Sequence, residues 1–272
     1  MKPTLDASRS SDSPRLPLPG WLTVWSGLWA LSWRSVWSTR RWPMLGLVVV
    51  GGPLLAWLAL RNVEVDLRDE WLTWVATFHF GLVVPLWCLI AFGSLVRDEV
   101  QAGTIGFLLT RPLTRTRFLA LRWLAVLVTV QAPLGLNTIL LGAAALVLGV
   151  PGAMALTLLL LGALLLVVPA YGAIAACLGL LTRKYLLLGL VYGFVVEVCI
   201  GQIPTNINTL SVARHFRTLL AQSELIEQHA GWSAGQLFGS VGGLLLLTLV
   251  YLGASLLLFN LREYSQSEEN KQ

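Results

Sequence analysis

A chain of 272 residues that is 56% hydrophobic and only 12% charged does not have the composition of a soluble domain, which carries roughly twice that charged fraction. Its net charge of +5 does not point to nucleic acid either, because the Lys and Arg residues lie between apolar blocks, where they act as topology determinants. Cys88, Cys177 and Cys199 all fall inside apolar blocks and share no metal-ligand or redox spacing, so they read as small buried side chains.

Residues 1–20 contain Pro3, Pro14, Pro17, Pro19 and several serines but no apolar run, which predicts a disordered tail and not a signal peptide. Trp21, Trp25, Trp29, Trp33 and Trp37 follow at four-residue spacing, with Arg34, Arg40 and Arg41 at their end. On a helix that spacing makes one slowly rotating aromatic stripe. Tryptophan prefers the headgroup level and arginine prefers anionic phosphates, so residues 21–42 read as an amphipathic helix lying in the membrane interface.

Six apolar spans are expected next, near residues 43–60, 71–96, 118–148, 153–181, 185–201 and 236–260. Each meets or nearly meets the roughly 20 residues needed to cross a hydrocarbon layer about 30 Å thick. The third and fourth exceed it and should tilt, kink near Pro133 and Pro169, or project beyond the bilayer. With both termini in the cytoplasm, 15 of the 19 Lys and Arg residues lie on the inner side, and the first outer loop (Glu64, Asp66, Asp69, Glu70) is acidic. The positive-inside rule therefore places both ends in the cytoplasm. The predicted class is all-α, a polytopic membrane protein with a six-helix transmembrane domain over 43–260 and a cytoplasmic tail over 261–272.

The inner segment between spans two and three runs from Arg97 to Arg117. Thr104 can cap a short helix with Ile105, Leu108 and Leu109 on one side, and Pro112 disfavours helix at Arg111. Arg111, Arg115, Arg117 and Arg122 flank it. A two-turn element with an apolar face and a cationic edge is suited to docking on a cytoplasmic partner or on headgroups. A solvated loop would explain the charges but not the apolar face.

Glu99, Gly103-Thr104, Leu108-Leu109, Arg111-Pro112 and Thr114-Arg115 together resemble the signature of permease subunits of ATP-binding-cassette (ABC) transporters of the type-2 exporter family. That signature is a glutamate, Gly-Thr-Leu, a Leu-Leu pair, then Ser/Thr-x-Pro-x-Ser/Thr-Arg. The chain departs from it at Ile105 and Gly106, and Gly106 weakens the local helix by up to about 1 kcal/mol. A fainter likeness lies in Leu210-Ser211-Val212-Ala213-Arg214-His215-Phe216, since many members carry a Leu-Ser…His-Phe run before the final span. The resemblance implies a transport subunit that pairs with a second copy or a paralogue in the inner membrane. ATPase subunits would dock on a coupling helix, with Glu99, Gly103, Thr104, Ile105, Leu108, Leu109, Arg111, Pro112 and Arg115 as the coupling residues. The sequence contains no Gly-x-x-x-x-Gly-Lys-Ser/Thr phosphate loop. ATP and Mg would therefore belong to the partner, and this chain is expected to need no cofactor or metal of its own and not to be an enzyme.

Within the spans, Glu197 stands near the middle of the fifth, where an ionised carboxylate is expensive unless paired, protonated or wetted. It is a candidate for the substrate path or the dimer seam, or for a hydrogen-bonded structural role with Asn137 or His79. A protonated acid resembles an amide, so Glu197→Gln is expected to be tolerated for folding. His79 reads as structural, and Val212, Phe216, Leu219 and Leu220 predict a helix on the outer interface. A secondary transporter, or another polytopic protein working without an ATPase, is the competing reading. The chain lacks the internal repeat such transporters usually show, and no His-Glu-x-x-His or Gly-x-Ser-x-Gly motif marks an intramembrane enzyme.

Overall fold

A computed structural model of the chain describes residues 25–27, 29–30, 33, 46–63, 67–95, 114–199, 206–221, 226 and 237–261. Among them every regular element is helical. Among the described residues four helices are long and apolar enough to cross a membrane, as expected of a membrane-embedded protein: α2 (Leu67–Gly93), α3 (Arg115–Leu148), α4 (Ala153–Leu181) and α7 (Leu237–Leu261). Two shorter apolar helices accompany them. The first, α1, covers 47–60 and is π-helical over Leu47–Gly51 before becoming α-helical over Gly52–Leu60. The second, α5, covers 185–199, α-helical over Tyr185–Tyr192 and π-helical over Gly193–Cys199. A short amphipathic helix, α6 (Val212–Leu220), precedes α7.

Several boundaries differ from the apolar blocks in the sequence. Helix α3 begins at Arg115 because Thr114, in extended conformation, caps it through its side-chain oxygen, which accepts the Arg117 N–H at 3.4 Å. The helix therefore runs three residues beyond its apolar part, with Arg115 and Arg117 exposed and Arg122 buried. Helix α2 starts at Leu67, four residues early, with Asp69 and Glu70 in its first turn, where acids favour the helix dipole. Pro133 and Pro169 lie inside α3 and α4 without ending either helix.

Helix α4 is the centre of the bundle, packed against α2, α3 and α7, while α1 lies on α3 and α5 lies on α4 and α2. The sequence of α4 explains that position. Its run Ala170–Ala176 is buried and consists mostly of small residues, which lets neighbouring backbones come close. A Cβ at Gly179 would stand 2.1 Å from the Gly93 carbonyl oxygen, so α2 and α4 touch backbone to backbone there. Gly172 seats the Phe92 ring and Gly142 seats Thr157 in the same manner. Helices α3 and α4 are joined by a tight turn in which Gly149 (φ 78°) and Gly152 (φ 72°) both take the left-handed conformation that glycine adopts without strain.

In the tryptophan segment the described residues are helical, with the Trp25 and Trp29 rings stacked at 6.1 Å and the Trp29 and Trp33 rings tilted by 55° at 5.9 Å. The tail 1–20, the rest of 21–42 and residues 262–272 lie outside the described residues.

Candidate functional site

Of the proposed coupling residues, Glu99, Gly103, Thr104, Ile105, Leu108, Leu109, Arg111 and Pro112 lie outside the described residues. Arg115 opens α3 and is exposed.

Glu197 is placed in detail. It stands in the π-helical end of α5 and faces the N-terminus of α6. Its Oε1 accepts the Val212 N–H at 3.1 Å. Its Oε2 accepts the Ala213 N–H at 2.9 Å and the Ser211 hydroxyl at 2.7 Å. The first turn of an α-helix leaves four N–H groups without intrahelical partners. Here all four are satisfied: Ser211 N–H donates to the Asn208 carbonyl at 3.0 Å, Val212 and Ala213 donate to Glu197, and Arg214 donates to the Ser211 hydroxyl oxygen at 3.1 Å. A carboxylate at this end also opposes the positive pole of the helix dipole. Glu197 thus caps α6 from another helix, across 14 to 16 residues of sequence.

Asn137 and His79, the partners expected from the sequence, are engaged elsewhere. His79 is buried in the π-helical stretch Val75–Val83 of α2, with Nε2 3.0 Å from Thr138 Oγ1. The Thr138 hydroxyl donates to the Leu134 carbonyl at 2.9 Å, so it accepts from His79, which fixes the proton on Nε2. Asn137 packs on Gly52 of α1. No group of three potential metal ligands occurs among the described residues.

The Leu210–Phe216 run is the segment that Glu197 holds. Ser211 is the cap residue, and the His215 Nε2–H donates to the Thr209 carbonyl at 2.9 Å. Burial lowers the pKa of His215, assisted by the nearby Arg214 cation, while the bond to Thr209 works in the other direction. The His215 ring fills the space above Gly243 of α7, where a Cβ would come within 2.4 Å of it. Phe216 stacks on Phe80 of α2 at 4.1 Å and 21°. Helix α6 is therefore wedged against α2, α4 and α7. Sequence reasoning missed Phe80 and Gly243; the Gly242-Gly243 pair was the one available hint of a close approach.

Beside α6 lies a cavity of about 460 Å³, bounded by α2, α4, α5 and α6. Its walls are mainly apolar, with Phe80, Pro85, Leu86 and Leu89 on α2, Ile174 and Leu178 on α4, and Gly189, Gly193 and Phe194 on α5. The polar groups are Thr77, Tyr171, Tyr192, Glu197 and Arg217, so the charge lies towards the α6 end. The π-helical parts of α2 and α5 both contribute to its wall. Such segments are rare and are found often at functional sites. A largely apolar cavity with a few convergent polar groups suits a small amphipathic molecule.

Compared with known proteins, the chain matches no family model and no curated sequence.

Proposed function

We propose that this chain is the membrane-spanning permease subunit of an ABC transporter of the type-2 exporter kind, powered by a separate ATPase. The observation that carries the reading is the segment Glu99 to Arg115, with its Gly103-Thr104 start, apolar Ile105, Leu108 and Leu109, and Arg-Pro ending. The Leu210–Phe216 run adds support, because its residues serve one purpose in the fold, seating α6 between Glu197, Phe80 and Gly243.

On this reading α1 and α5 also cross the bilayer, giving six spans, and both termini face the cytoplasm of an inner membrane. A second copy or a paralogue completes the transporter. The cavity between α2 and α5 is the slot through which substrate leaves, with Glu197 as part of its scaffold. ATP and Mg are bound by the partner ATPase.

The decisive experiment is Leu108→Asp with Leu109→Asp. Burying each apolar side chain of the coupling helix contributes roughly 1.5–3 kcal/mol before the cost of ordering is subtracted. The double variant should remain inserted in the membrane yet lose co-purification of the ATPase, or its transport-linked ATP hydrolysis. An active protein that binds no ATPase and ignores both changes would refute the permease reading.

A further inference from the structure

The cavity is elongated. Its wall on α2 extends from Ala76 to Leu89, on the order of 20 Å at about 1.5 Å per helical residue. Its 460 Å³ lies at the low end of small-ligand pockets, roughly 300–1,000 Å³, enough for one extended hydrocarbon chain and not for a two-chain lipid. The apolar length lies along Pro85, Leu86, Leu89 and Leu178, whereas the cation, Arg217 of α6, follows Phe216, which stacks on Phe80 toward the Ala76 end of the α2 wall. Glu197, the other charged residue of the lining, has both oxygens turned onto the N-terminal N–H groups of α6. Those groups offset its charge, which leaves Arg217 as the group that can address an anionic head.

We propose that this slot binds a single-chain anionic amphiphile, a long-chain fatty-acid carboxylate, with the head on Arg217 and the chain directed along α2 toward Leu89. This deepens the permease reading by naming its substrate class, and it rests on that reading in taking the occupant to be cargo. In a bilayer the chain gains nothing by leaving lipid for an apolar slot, because lipid tails are equally apolar. Selection therefore depends on the head, and a planar guanidinium matches a carboxylate with two parallel hydrogen bonds.

The test uses the full-length protein in lipid nanodiscs, with and without its ATPase, and three probes carrying a photoactivatable group on the chain. They are a hexadecanoic acid, the matching alcohol, and a diacyl phosphatidylglycerol. Labelled positions are mapped by mass spectrometry, with lipid-facing Leu249 of α7 as internal reference. The acid should label Pro85, Leu86 and Leu190 about tenfold more than the alcohol does, as expected for one charge-assisted contact. Arg217→Gln should reduce acid labelling to the alcohol level. Gly193, whose added Cβ would meet nothing within 4 Å, offers a second variant. Gly193→Phe should fill the slot and remove its labelling while leaving that at Leu249 unchanged.

Equal labelling by acid and alcohol, or indifference to Arg217→Gln, overturns the proposal. So does slot labelling by the phosphatidylglycerol as strong as by the acid. ATPase co-purification is read separately. Failure of labelling with the ATPase bound removes the substrate class alone, whereas selective labelling of a protein that co-purifies with no ATPase removes the permease reading and leaves the fatty-acid site.

Discussion

The Ser211 hydroxyl donates to Glu197 Oε2 at 2.7 Å while its oxygen accepts the Arg214 N–H at 3.1 Å. One hydroxyl thus joins the carboxylate of α5 to the first turn of α6, and Glu197 takes two further backbone donors directly. The arrangement changes the expectation for Glu197→Gln. An amide has one acceptor oxygen and one donor nitrogen, so one of the two backbone N–H groups would face another donor.

Glu197→Gln should therefore lower stability, by about 1–3 kcal/mol for a buried donor left unsatisfied. Ser211→Ala should cost about 1 kcal/mol as a lost N-cap. Because the two groups share one hydrogen-bond network, the double variant should deviate from additivity. Thermal unfolding in detergent measures all three, and a Glu197→Gln protein as stable as the parent would show that α6 is capped by something else.

Gly243 supplies the second prediction. Adding a methyl group there forces His215 to move, and overpacking of this kind costs roughly 1–3 kcal/mol. Gly243→Ala combined with His215→Ala should recover part of that loss, since the ring that met the methyl is gone. Absence of recovery would mean that the contact is not what limits Gly243.

His215 makes α6 sensitive to pH. Its folded-state pKa lies below the unfolded value, so the folded form favours the neutral ring. The stability it contributes is complete above the unfolded value of about 6.5 and is lost as pH falls from there toward the folded pKa. The difference in unfolding temperature between the parent and His215→Gln should therefore change below about pH 6.5 and stay constant above it. A constant difference throughout would reject the assignment.

Topology can be read with cysteine labelling. Cys199 is exposed and Cys177 partly so, and both should be replaced first. Membrane-impermeant reagent applied outside should then reach cysteines introduced near Glu64 and Gln228 but not near Thr104 or Gln266. External labelling at Thr104 would reverse the proposed orientation.

The course of the chain was legible where apolar length meets sharp punctuation. Helix α4 falls on residues 153–181 as expected because Gly149–Gly152 closes one end and Thr182-Arg183-Lys184 the other. The α3 start was harder to see, since Thr114 caps a polar turn that hydropathy alone assigns to the loop. The acid at Glu197 was legible as a residue needing explanation, and Val212, Phe216, Leu219 and Leu220 as the apolar face of a helix. That the acid caps this helix was not, because nothing in the sequence between Glu197 and Ser211 carries a periodicity that links the two. The π-helical stretches in α2 and α5 leave no signature in composition, as they differ from α-helix by hydrogen-bond register and not by residue type.

The Gly149–Gly152 turn has a bearing on how the chain enters its membrane. The α3–α4 hairpin it closes is the longest apolar stretch of the protein, and the turn carries no charged residue. Each ionised group carried through hydrocarbon adds about 2.5–3.5 kcal/mol on insertion scales. In the proposed orientation this turn crosses the bilayer with no such penalty, and both helices can enter together as a prefolded pair. The hairpin then presents the surface of α4 on which α2, α5 and α7 pack.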